Sequence, residues 1–253
     1  MQNTPKPALR SRFNRNGSAF TLMETVIAIG VLAVLLTGFI AVFTPAAQGI
    51  RRSISSQQAD RLTTTLEREL DTLRSGQAPA DATTGFEKAF TWLKEGNDAA
   101  NAIFVYQYRG DPSTIRPDGT PEPLAQISGQ PGTDYIVQSM ARRVGDAEFA
   151  RDLTAIEGAI FFVKSTQLIF SGNEMILGTA GKITNPVPLP VRTPPYPSEP
   201  DNVADYADAV IPFSAEFHSV PTKAITYLTG TKFQEHFASA KRPVFTRNLA
   251  VRR

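Results

Sequence analysis

The stretch Phe20-Thr21-Leu22-Met23-Glu24-Thr25-Val26-Ile27-Ala28-Ile29-Gly30 sets one carboxylate inside an apolar run. Nineteen uncharged residues, 25–43, follow Glu24, and the residues ahead of Phe20 carry Lys6, Arg10, Arg12 and Arg15 but no Asp or Glu. As a helix, residues 20–43 would measure about 36 Å, enough to cross the hydrocarbon core of a bilayer. A charged side chain near the bilayer centre costs about 2.5–3.5 kcal/mol on insertion scales, so Glu24 requires a partner or a role. The basic leader, residues 1–19, would hold the amino end in the cytoplasm and place the body on the far side of the membrane.

Three plainer readings compete. A secretory signal has an apolar region of about 7–15 residues followed by a small-residue cleavage site; here the run is longer and the small residues Gly17, Ser18 and Ala19 precede it. A plain single-pass anchor leaves Glu24 incidental. A core helix of a soluble protein conflicts with a run that is apolar on every face.

The segment Ala19-Phe20-Thr21-Leu22-Met23-Glu24, with the apolar helix after it, resembles the processing site of type IV pilins and type II secretion pseudopilins. That pattern is a small residue, the cut, Phe, Thr or Ser, Leu, an apolar residue, Glu, then an apolar helix. The resemblance covers residues 10–50 and departs from the family where Ala19 stands in place of the usual Gly. It implies that prepilin peptidase cuts between Ala19 and Phe20 and methylates the new amino group of Phe20. It implies that Glu24 then pairs with that amine on a neighbouring subunit and sets assembly and register. Residues 20–43 would serve as both membrane anchor and filament core. The implied partners are prepilin peptidase, other pilin or pseudopilin subunits, the assembly platform and the inner membrane. The C-terminal domain would stand in the periplasm until extrusion into a filament. Chain length and irregular loops favour a minor subunit.

Composition fits a tethered globular protein: 253 residues, 42% hydrophobic and 20% charged. The net charge is +2, but without the leader 22 basic residues face 24 acidic ones, a net of −2. The basic pI of 8.9 therefore belongs largely to the leader and marks no nucleic-acid partner. With no cysteine, disulfides, thiol catalysis and Cys-based zinc sites are excluded, and a core must hold the fold.

Beyond the span, residues 44–76 read as an amphipathic continuation of the helix. Pro45 and Gly49 place a kink just outside the bilayer. Ile50, Ile54, Leu62, Leu66, Leu70 and Leu73 form a stripe expected to pack on the globular domain, and Gly76 with Pro79 ends the helix. The globular part, 77–253, opens with a linker at 77–85 and a short helix at 86–95. Strands are expected at 101–109 and 135–142, separated by a loop at 111–123. A meander follows at 160–163, 167–170 and 175–177, turning at Lys164-Ser165 and Ser171-Gly172-Asn173. Residues 185–200 hold seven prolines and read as an extended surface loop. Pro212 demotes the strand at 209–217 to an edge. Residues 222–237 fit either a helix or a strand and turn around Gly230, and 244–251 closes the domain. The expected class is α+β, a long N-terminal helix packed on an antiparallel β-sheet domain, pilin-like in shape.

Signals for chemistry are sparse. The two histidines, His218 and His236, lie in no metal-ligand spacing, and a surface or sheet-edge place is expected for His218. No G-x-S-x-G elbow occurs. Gly178-Thr179-Ala180-Gly181-Lys182-Ile183 has Ile183 where a phosphate loop needs Ser or Thr, and reads as a hairpin turn. Asp201, Asp205 and Asp208, with Asp111 and Asp118, flank loops of the kind that hold calcium, but their spacing matches no EF-hand; they read as solvated loop acids. No cofactor is expected, calcium being the one candidate. Phe104, Phe161, Phe162 and Phe170 are expected in the core, and Tyr196 in the proline loop as an exposed contact. The chain thus reads as a structural subunit on which chemistry is done, not as an enzyme. The alternative is a membrane-tethered binding or enzymatic domain whose anchor only resembles a pilin.

Overall fold

The computed structural model describes residues 21–77, 79–126, 129–171, 174–186 and 198–253. The leader, Ala19, Phe20, Gly172, Asn173 and Tyr196 lie outside them. The chain divides into two compact units between Ile50 and Arg51. Helix α1 spans Leu22–Asp71. In the first unit its 29-residue segment Leu22–Ile50, which holds an 18-residue window of mean hydropathy 2.8 with no residue buried, is long and apolar enough to span a membrane. The helix continues through Pro45 and Gly49 without a break. One proline removes a single backbone donor and leaves the other i→i−4 bonds to carry the helix.

In the second unit the apolar stripe is buried only from Ala59 onward, with Leu62, Leu66 and Leu70. Ile54 is half exposed and Leu73 is 44% exposed, so the stripe is shorter at both ends than its spacing predicts. The helix also stops at Asp71 rather than at residue 76. Its last carbonyls have found other donors, which substitute for the next turn. Buried Lys88 donates from Nζ to the carbonyls of Glu69 and Thr72, and to Gln77 Oε1 at 3.3 Å. Arg74 folds back onto the Glu69 carboxylate through two bonds of 2.7 Å.

Helix α2, Gly85–Glu95, begins where Thr84 caps the Glu87 amide. Its first residue passes so near the end of α1 that a Cβ on Gly85 would lie 2.0 Å from the Asp71 carbonyl oxygen. Only glycine permits that approach.

Among the described residues seven strands follow: β1 Ile103–Ile115, β2 Pro121–Pro123, β3 Ile136–Arg143, β4 Ile156–Ser171, β5 Glu174–Leu177, β6 Val210–Ser219 and β7 Phe245–Arg252. Their named pairings are all antiparallel, in the order β2-β1-β4-β6-β7, with β3 also on β1 and β5 on β4. Short helices α3 Ala147–Asp152, α4 Ile225–Leu228 and α5 Thr231–Ser239 complete the domain; the ambiguity at 222–237 resolves to helix.

Strand alternation sends Ile103 and Val105 to one face and Phe104, Tyr106 and Tyr108 to the other. The first face packs with Phe161, Val163, Phe213 and Phe217 against Leu62, Leu66 and Leu70 of α1 and Phe90 and Leu93 of α2. The second packs with Phe162 against Phe149 of α3 and Phe233 and Phe237 of α5. The domain is therefore α+β with helices on both sheet faces, not on one.

Several local expectations are corrected. Residues 111–115 extend β1 and pair with β2 through a register shift, so only 116–120 turn. Lys164-Ser165 is no turn: β4 runs straight through it, Lys164 opposite Glu216 and Ser165 opposite Ala215. Strand β6 is interior, between β4 and β7. Pro212 is tolerated because the β4–β6 ladder ends at Gln167↔Phe213, one position earlier, so the missing N–H costs no bond to β4. Beyond that point β4 pairs with β5, and Phe170 is 62% exposed instead of core. The segment 178–183 is a loop turning back into the core, with Lys182 N–H bonded to the Thr179 carbonyl at 3.1 Å and Ile183 buried, not a hairpin between strands.

Candidate functional site

The residue singled out by the sequence, Glu24, lies in the first turn of α1. Its Oε2 accepts from both the amide and the hydroxyl of Thr21, each at 3.1 Å, while its own amide donates to Thr21 Oγ1 at 3.3 Å. This is a reciprocal capping box, in which a Thr and a Glu three residues apart satisfy each other's end of the helix. A carboxylate here also faces the positive end of the helix dipole. The cost of placing Glu24 at the edge of an apolar span is thus met in part by its own chain. In the sequence this cap is signalled by the T-x-x-E pattern that starts at Thr21, a role of Thr21 beyond its place in the processing-site motif. Ala19 and Phe20 lie outside the described residues.

Over residues 25–43 the helix presents only apolar side chains and hydroxyls tied to their own backbone. Thr25 Oγ1 donates to the Thr21 carbonyl at 3.4 Å and Thr37 Oγ1 to the Ala33 carbonyl at 2.8 Å. Phe39 and Phe43 stack at 3.9 Å. Such a surface carries no free donor that would resist burial in lipid or against other helices.

In the globular unit, Arg116, Asp118, Arg142 and Asp152 converge on one buried cluster. Asp152 Oδ2 accepts from Tyr106 OH and Arg142 Nε, both at 2.7 Å. Its Oδ1 lies 2.8 Å from Arg116 Nη2, close enough for an ion pair but not aligned as a hydrogen bond. Asp118, expected in solvent, is buried; its Oδ2 accepts from Arg142 Nη2 at 2.6 Å and its Oδ1 from the Thr120 hydroxyl at 2.6 Å. Arg116 reaches Glu148 at 2.7 Å. Burial, and then the Asp152 carboxylate beside it, hold the Tyr106 hydroxyl well above the usual phenol range. Burial opposes ionisation of Asp118, but the bonds from Thr120 and Arg142 prevail and hold it below the usual carboxylate range. The two arginines and two aspartates neutralise each other and tie the 116–120 turn to α3 and β3. That arrangement supplies structure and leaves no group poised for a reaction.

The other acids are dispersed. Asp111 accepts from Ser113 and Thr114 near the end of β1. Asp201 meets Lys94 at 3.3 Å. Among the described residues no group of three or more His, Asp or Glu is placed to hold a metal ion. His218 is not at a surface or edge: it is 3% exposed in β6 and stacks on Phe162 at 4.9 Å. Where β4 and β6 part, a cleft of about 330 Å³ is lined by Leu168, Phe170, Met175, Tyr206, Val210 and Pro212, among others. Its polar groups are occupied locally: Gln167 bonds both the amide and the carbonyl of Thr184, and Tyr206 OH donates to the Val210 carbonyl at 3.0 Å.

Compared with family models, curated proteins and solved structures, the chain matches none.

Proposed function

We propose that this chain is a prepilin-like structural subunit, a minor pilin or pseudopilin, cleaved by prepilin peptidase and assembled into a type IV pilus or type II secretion pseudopilus. The observation that carries the reading is the position of Glu24. It is the single carboxylate of the apolar run, it sits in the first turn, and an unburied apolar helix of membrane length follows it. The basic leader ahead of it orients the chain with its amino end in the cytoplasm and its sheet domain in the periplasm. Removal of the leader after Ala19 leaves the amine of Phe20 next to Thr21, whose amide and hydroxyl already hold the Glu24 carboxylate. In a filament the amine of a neighbouring subunit competes for that carboxylate, and an ion pair formed in an apolar surrounding is stronger than one in water. The helix that anchors the subunit then becomes the filament core, and no catalytic step belongs to the chain itself.

The cleft between β4 and β6 favours a second reading, a tethered domain that binds a ligand and uses the helix only as an anchor. Exchanging residues 20–43 for an unrelated transmembrane helix separates the two. Loss of filament incorporation and of the associated phenotype supports the subunit reading. A chain that works equally well on the foreign anchor overturns it in favour of the tethered domain.

A further inference from the structure

We propose that α4 and α5 form an acid-released cover over the second face of the sheet, with His218 as its trigger. The chain has two histidines, and both meet the same phenylalanine. His218 stacks on Phe162 with ring centroids 4.9 Å apart and planes 9° apart, and His236 of α5 meets Phe162 edge-on at 5.4 Å. Phe233 and Phe237 of α5 close the same cluster at 5.5 and 5.2 Å from Phe162. The cover is held further by Phe233 on Phe104 of β1 at 5.1 Å, by buried Leu228 of α4, and by polar bonds at its ends. Tyr227 of α4 and His236 Nδ1 share a hydrogen bond of 2.9 Å, and Lys164 of β4 donates to the Ala240 carbonyl at 3.1 Å, with its ammonium over Phe237.

His218 is badly placed to carry charge. Its Nε2 is buried and makes no hydrogen bond; the nearest acceptor, Glu216 Oε2, is 3.5 Å away and misaligned. The titratable groups facing it are Glu216 on its own strand, Lys164 on β4 and His236 on α5, with Tyr227 beyond them on α4. Only Glu216 favours an imidazolium, and it is shared with Lys164, directly opposite it in the ladder. Burial holds His218 below the usual imidazole range, against the pull of Glu216. Taking up a proton at Nε2 therefore places inside an aromatic cluster a cation that only Glu216, 3.5 Å away and shared with Lys164, compensates. Letting α4 and α5 lift hydrates that cation and exposes Phe162, Phe233 and Phe237. The inference is independent of the proposed function.

The test is amide hydrogen exchange of the full chain in detergent micelles from about pH 8 to about pH 5, with exchange times scaled for intrinsic rates. Residues 225–239 should open about tenfold more for each pH unit over the range in which His218 binds one proton, while residues 103–108 of β1 hold their protection. His218→Phe, which keeps a ring on Phe162, should abolish that slope. Glu216→Gln, at a partly exposed position, should keep that slope but extend the acid release to lower pH, with more opening at about pH 5, by removing the one compensating charge. Acid exchange that rises uniformly across the domain, a slope that survives His218→Phe, or an unchanged response in Glu216→Gln would each overturn the proposal.

Discussion

Asp152→Ala tests whether the buried ion cluster holds the sheet domain together. The carboxylate is fully buried and answers Tyr106, Arg142 and Arg116 at 2.7–2.8 Å. Its removal leaves Arg142 with Asp118 alone and Arg116 with Glu148 and, at 3.9 Å, the same Asp118, and strips the Tyr106 hydroxyl of its acceptor. Breaking a buried pair by deleting one partner costs about 3–5 kcal/mol. A domain of this size loses about 2–4 °C of melting temperature per kcal/mol, so a drop of about 6–20 °C is expected. Trp92 is the one tryptophan and is fully buried, so its fluorescence in a urea or thermal titration reports on this domain. Asp152→Asn, which preserves an acceptor for Tyr106, should fall between the wild type and the alanine variant. A loss below about 1 kcal/mol for Asp152→Ala would refute the reasoning, because it would mean that the arginines are compensated without this carboxylate.

Lys88, pushed down to about 8 by burial, has a folded pKa below its unfolded value, so in the window above pH 8 the folded state gives up its proton first. Stability should therefore rise as pH climbs from about 8 to 10, by up to roughly 3 kcal/mol, before tyrosines intervene; Lys88→Met should flatten that rise in urea titrations. Gly85→Ala forces a methyl into the Asp71 carbonyl, and the resulting strain should cost about 1–3 kcal/mol in the same assay; an unchanged midpoint would mean that the helix ends separate freely. Thr21→Val removes the hydroxyl half of the capping box at about 1 kcal/mol of local helix stability, and should loosen amide protection of the first turn without preventing incorporation into filaments. Glu24→Ala should abolish incorporation, and filaments of normal yield and composition from that variant would contradict the role given to the carboxylate.

What the sequence disclosed was short-range or strongly periodic. The span, the stripe Leu62, Leu66, Leu70, the helix at Gly85–Glu95 and the strands around Phe104 and Val137 follow from spacing and residue type alone. What it concealed depended on partners distant in the chain. Lys164-Ser165 looks like a turn until the paired strand supplies Glu216 and Ala215 opposite it. Pro212 looks like an edge signal until one knows that the neighbouring ladder ends at Phe213. Asp118 looks solvated until Arg142, from another strand, arrives at 2.6 Å. The second helical layer was hidden because strand β1 is apolar at nearly every early position, which marks burial on both faces without naming what covers them. At the candidate site the opposite holds: Glu24 stood out at once, and its local partner Thr21 was readable three residues before it.

The central claim is most directly tested by the intact mass and amino-terminal sequence of the protein from membranes with and without an active prepilin peptidase. A mature chain beginning at Phe20 with one added methyl, present only with the peptidase, is the predicted result. An uncut chain, or one cut beyond Phe43, would contradict it.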